Sequence, residues 1–211
     1  MLEQKVPLLD VIISFLNAMK NVTAENHDSP QDLTWRCCFE GRDIALHNLK
    51  YLLGQILRNW DVPFDHHYVS KEALDLWKEI SDDSISNYWY TKPVKSVRDS
   101  KKEVGFYNGA SKKPIGGKRS IIPAGKRFPY RQVFHDEHVV PIKIIMDRLM
   151  EIPDPDYENV LEVLDHIYIC KMLKEENFPL ERYNRSFDPN EVIEHDYKSI
   201  GIEVILLKEV K

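Results

Sequence analysis

The sequence predicts an α+β protein with a helical N-terminal region, and three observations carry that expectation. Apolar residues recur at helical spacing through the first ninety residues. The chain then turns rich in Gly, Pro and Lys/Arg, with aromatic residues interleaved. The last eighty residues alternate short β-branched runs with amphipathic stretches, a mixture of strand and helix signals.

In residues 6–22 the apolar side chains of Leu8, Leu9, Ile12, Ile13, Leu16 and Met19 fall on one helical stripe. The pattern returns with Ile44, Leu49, Leu52, Leu53, Ile56, Leu57 and Trp60, and the polar stretch "TAENHDSPQD" between the two reads as a loop. A third helix is expected after Ser70, whose hydroxyl suits an N-cap, through "KEALDLWKEI". Residues 1–90 thus form one expected region, a packing, partner or dimerisation surface without evident chemistry. The remainder, residues 91–211, forms the other.

Within that second region "SII" at 120–122 reads as a short strand between glycine and proline turns, and "QVFHDEHVVP" as a longer one. "IKIIMDRLMEI" and "YENVLEVLDH" have helical periodicity, separated by the prolines of "IPDPD". "IYICKML" reads as a strand, "KEENFPLERYNRS" opens with a short helix, and "IGIEVILLKEV" closes as a strand.

The net charge of −5 conceals a segregated distribution. Residues 91–131 carry twelve Lys/Arg against two Asp/Glu, whereas the flanking segments are both acidic. Such a block, with Phe106, Tyr107, Phe128 and Tyr130 among its cations, suits a polyanion. Lys112, Lys113, Lys118, Arg119, Lys126, Arg127 and Arg131 are the expected phosphate contacts. "GGKRS" lacks the spacing of a P-loop. Three cysteines, two of them the adjacent Cys37 and Cys38, make neither a disulfide framework nor a CxxC zinc site. The apolar runs are too short to span a bilayer and the N-terminus lacks a signal-peptide pattern, so a cytoplasmic protein is expected.

The chemistry concentrates at "VFHDEHVVPIK", residues 133–143. Glu137-His138-Val139-Val140-Pro141 followed by "HIYICKMLKEENFPL" resembles the HNH, or ββα-metal, nuclease family over roughly residues 130–186. The resemblance implies a ββα-metal core with an enlarged helical insertion over 142–166. It implies His138 as general base and Glu137 and Asn177 as metal ligands, with Asp136 or His135 as alternative ligands. His166 stands where the family has a bracing Asn. Magnesium or manganese is the favoured ion, because few protein ligands with oxygen donors suit a hard cation. The implied activity is phosphodiester hydrolysis in double-stranded DNA, of a restriction or defence type, with RNA as the other substrate and a homodimer as the assembly matching a two-strand cut. The rival is a nucleic-acid-binding protein without catalysis, using the basic segment 91–131.

Neighbouring residues of a regular strand point to opposite faces, so roles for both Glu137 and His138 at one ion require a local distortion. Two further histidine-acid groups, "FDHHYVS" at 64–70 and "EHD" at 194–196, are set aside. The first runs into the Ser-capped helix and the second into a turn.

Overall fold

The structure is a computed structural model that describes residues 2–28, 44–85, 97–124, 130–180 and 185–210. The Cys37-Cys38 pair and the cations Lys126 and Arg127 lie outside the described residues. The elements in chain order are α1 (Leu2–Asp28), α2 (Ile44–Arg58), β1 (His67–Ser70), α3 (Lys71–Ile80), β2 (Val104–Gly105), β3 (Arg119–Ser120), α4 (Tyr130–Val133) and β4 (Phe134–His138). They continue with α5 (Ile142–Glu151), α6 (Tyr157–Leu164), β5 (Ile169–Leu173), α7 (Lys174–Asn177), α8 (Pro189–Glu191) and β6 (Val204–Leu206). The α+β class is therefore observed. Among the described residues no helix is long and apolar enough to cross a membrane.

The chain divides into two compact units, residues 1–61 with 140–167, and residues 62–139 with 168–211. The expected boundary at residue 90 is not where the chain divides. Residues 62–85 belong with the sheet, and the helices between β4 and β5 join the N-terminal ones.

The first unit is a helical cluster. On α1 the residues Leu9, Ile12, Leu16 and Met19 are fully or almost fully buried, the stripe that i, i+3, i+7 spacing produces. The helix is longer than its periodic core and runs into the expected polar loop, with Pro7 near its start. α2 contributes Leu53 and Leu57, α5 contributes Ile142, Ile145 and Leu149, and α6 contributes Val160 and Leu164. α6 starts with a capping box. The Asp156 carboxylate accepts from Asn159 N and the Asn159 side chain accepts from Asp156 N, both at 3.0 Å. Lys20 of α1 donates to the carbonyl oxygens of Ile152 and Pro153, tying α1 to the end of α5.

The second unit is built on a four-stranded sheet of order β4-β5-β1-β6. β4 and β6 are antiparallel to their neighbours, and the central pair β5 and β1 is parallel. On one face Val69, Phe134 and Leu173 pack against Ala73, Leu74, Trp77 and Ile80 of α3. On the other face Cys170 and Met172 pack against Leu180, Val192, Tyr197 and Ile202. Phe134, Trp77 and Tyr130 form an aromatic group, with Phe134 and Tyr130 stacked at 4.9 Å and Trp77 edge-on to both.

Two connections fix the helices onto the sheet. Ser70 caps α3 as its sequence position predicts, accepting from Ala73 N at 3.2 Å. The same hydroxyl donates to Glu176 at 2.7 Å, and that Glu176 oxygen also accepts from Leu173 N at 2.8 Å. One side chain thus couples the starts of α3 and α7. At the other end of α3, Arg98 donates to the carbonyls of Lys78 and Glu79, completing groups the last helical turn leaves open.

Candidate active site

The stretch "FHDEH" is a regular strand. β4 pairs with β5 residue for residue, Phe134 with Leu173, His135 with Met172, Asp136 with Lys171, Glu137 with Cys170 and His138 with Ile169. This unbroken register decides which side chains share a face. Phe134, Asp136 and His138 lie on the α3 face together with Ile169, Lys171 and Leu173 of β5 and His67 and Val69 of β1. His135 and Glu137 lie on the opposite face with Cys170, Met172 and Tyr68.

The α3 face carries a compact polar set. Lys171 is 1% exposed and donates to Asp136 Oδ1 at 3.1 Å, with the Asp136 side chain 10% exposed. His67 is equally buried and its Nε2 lies 3.3 Å from the carbonyl oxygen of Val62. Burial pushes the His67 imidazole below its ordinary value, and the positive charge of Lys171 adds to that shift. His138 and His67 flank Ile169 from the two neighbouring strands, two rungs from the Asp136–Lys171 row.

The opposite face is a second, separate ion-pair group. Arg185 Nη1 donates to Glu137 Oε1 at 3.0 Å and to the carbonyls of His138 at 3.3 Å and Val139 at 3.1 Å. Glu137 Oε2 lies 3.1 Å from His135 Nε2. The Arg185 guanidinium stands over the Tyr197 ring at 5.7 Å. Burial raises the Tyr197 hydroxyl and the adjacent Cys170 thiol well above their usual values, so both are neutral at physiological pH.

These facts correct the expected metal set. Glu137 and His138 do not meet, because an undistorted strand sends them to opposite faces. Asn177 ends α7, which begins beyond Leu173, and Leu173 pairs with Phe134 at the far end of β4 from His138. Four rungs separate the two ends, about 13 Å along the strand. His135 is the histidine nearer that end. Both Glu137 oxygens already face other partners, Oε1 the Arg185 guanidinium and Oε2 the His135 ring. Asp136 is the carboxylate sharing a face with His138. Among the described residues no three His, Cys, Asp or Glu side chains are grouped to hold a metal ion. His166 sits in the turn after α6, within the helical unit, its N–H on the carbonyl of Val163 at 3.2 Å.

The basic segment takes shape as a short two-stranded ribbon with a long loop. β2 and β3 pair through Val104 with Ser120 and Gly105 with Arg119. Lys112, Lys113, Lys118, Arg119 and Arg131 are all exposed. Arg119 pairs with Glu175 of α7 at 2.8 Å. Buried Lys174, its ammonium lowered by burial, donates to the carbonyls of Gly109 at 2.9 Å and Tyr107 at 3.4 Å. The cations therefore stand beside the β5–α7 junction.

Three partners in these groups escaped the sequence reading. Lys171 left a signal, a lone charge inside the apolar run "IYICKML". His67 belongs to the set-aside "FDHHYVS" stretch, which proves to contain a central strand of the sheet. Arg185 carries no local signal, since its partner is 48 residues away. No protein-family model, no curated protein and no solved structure matches this chain.

Proposed function

We propose that the chain is an endonuclease that hydrolyses phosphodiester bonds, with double-stranded DNA as substrate. The observation that carries the reading is the sharing of one sheet face by His138, Asp136 and Lys171. The exposed cations of residues 112–119 support it by supplying phosphate contacts on the same unit. His138 is half-buried at the end of β4 and is assigned as general base. The oxygen of a water forms the new bond to phosphorus and its proton passes to an imidazole nitrogen. The bridging P–O bond breaks, and the departing oxygen takes a proton from solvent.

A second reading, DNA binding without cleavage, is favoured by one specific observation. Both acids of "HDEH" are held by buried cations, Asp136 by Lys171 and Glu137 by Arg185, which is also what a purely structural strand would show. The two readings part in one experiment. Wild type and His138→Ala are incubated with supercoiled plasmid and with structured RNA, with magnesium, with manganese and with chelator. A nuclease nicks the plasmid, and His138→Ala binds equally but cleaves about 10²–10⁴-fold more slowly. Binding without cleavage by wild type in every buffer leaves the binding protein, and cleavage of RNA alone moves the substrate.

A further inference from the structure

We propose that the loop between β2 and β3 is a wedge for double-stranded DNA, with Ile115 entering the base stack from the minor groove while the surrounding cations hold the phosphates. The inference rests on the DNA reading above and adds how the duplex is engaged.

The loop spans residues 106–118, longer than a strand connection needs, and loops of that length with little regular structure usually carry function. Its base is held firmly. Tyr107 N donates to Gln132 O at 2.8 Å, and the Tyr107 ring packs edge-on against Phe178 at 4.9 Å. Lys174 reaches into the loop to bind Gly109 O, and Ile115 N donates to Phe106 O at 2.6 Å. A loop anchored in this way presents its outer residues in a fixed geometry, so little ordering remains to be done on binding.

The outer residues are an unusual mixture. Residues 115 to 121 are exposed without interruption, and they include Ile115 at 45% and Ile121 at 47%. Between residues 101 and 121 there are six Lys/Arg and one acid, Glu103. Single exposed apolar residues need no explanation. One isoleucine on the pinned loop and a second just past β3, with Lys112, Lys113, Lys118 and Arg119 around them, fit a partner that offers phosphates around an apolar stack.

The tip has the shape for entry. Gly116 and Gly117 have φ of 68° and 70°, left-handed conformations that favour glycine, and Gly117 N donates to Pro114 O at 2.8 Å. A Cβ on either glycine would meet nothing within 4 Å, so the turn faces open space. The result is a tight, narrow turn led by one β-branched side chain. Apolar wedges of this kind part base steps from the minor groove and kink the duplex, most readily at a flexible TA step. A-form RNA presents a wide and shallow minor groove, where such a wedge gains little.

The test uses the full chain and a duplex with 2-aminopurine at a central TA step and a dye pair at its ends, in chelator so that the duplex stays intact. Wild type is expected to raise the 2-aminopurine fluorescence several-fold on binding and to bring the ends closer. Ile115→Ala is expected to bind with an unchanged salt dependence but to lose the fluorescence rise. Ile115 is exposed, so this change leaves the fold intact. Lys118→Ala is expected to do the reverse, reducing the salt slope by about one while each bound molecule still unstacks the probe. Bound wild type without a fluorescence rise, or Ile115→Ala retaining it, overturns the wedge and leaves the DNA reading standing. A wild type that binds no duplex at low salt overturns the DNA reading and the wedge together.

Discussion

Lys171 and Asp136 face each other across the β4–β5 pair with their charged atoms 3.1 Å apart, and the lysine is 1% exposed. Removing one member strands the other in a poorly solvated place. Lys171→Met is expected to destabilise the protein by about 3 kcal/mol. A double change, Lys171→Met with Asp136→Leu, recovers most of that loss, because the uncompensated charge disappears with it. Urea unfolding of the three proteins measures both effects.

His67 gives stability a pH dependence whose sign follows from its burial. Its folded value lies below 6.5, so in the window beneath 6.5 the unfolded chain binds the proton more readily than the folded one. Stability contributed by the neutral ring is present above 6.5 and is lost as the pH falls through the folded value. His67→Asn is expected to flatten this part of the profile, read as the denaturation midpoint against pH. Lys171→Met is expected to move the His67 titration upward by NMR, since the lysine charge helps to depress it.

Ser70 serves two helices at once. Ser70→Ala removes the cap of α3 and a hydrogen bond to Glu176, a carboxyl that burial already pushes above its ordinary value. The loss is expected to be about 1–2 kcal/mol. Hydrogen exchange is expected to quicken at the start of α3 and at α7 together, whereas a simple cap would affect α3 alone.

The legible parts of this chain are those specified locally. The stripes of α1, α2, α5 and α6 depend on helical spacing within each segment, and the cap at Ser70 depends on one residue and its followers. β4 and β5 were visible as apolar and β-branched runs. The helical stretch between them was expected as well, but not its grouping with the N-terminal helices. β1 was hidden, because four residues beginning with a histidine give too little alternation, and its place depends on pairing with β5. The grouping of the candidate site residues is decided at the same level, by strand pairing. The residues of "HDEH" are contiguous in the sequence, but strand register and pleat decide which of them face each other. The geometry retained Asp136 with His138 and sent Glu137 to Arg185.

The central position of β1 also governs the order in which the sheet is assembled. His67 pairs with Ile169 in a parallel ladder, about a hundred residues further along the chain. During synthesis β1 therefore leaves the ribosome long before its partner exists, and α3 must shelter its apolar residues in the meantime. Closing so long a span is slow, and the final strand β6 docks on β1 only after that. The polar face bearing Lys171, Asp136 and His138 is consequently among the last parts of the protein to form, and a nascent chain carries its basic loop well before that face is assembled.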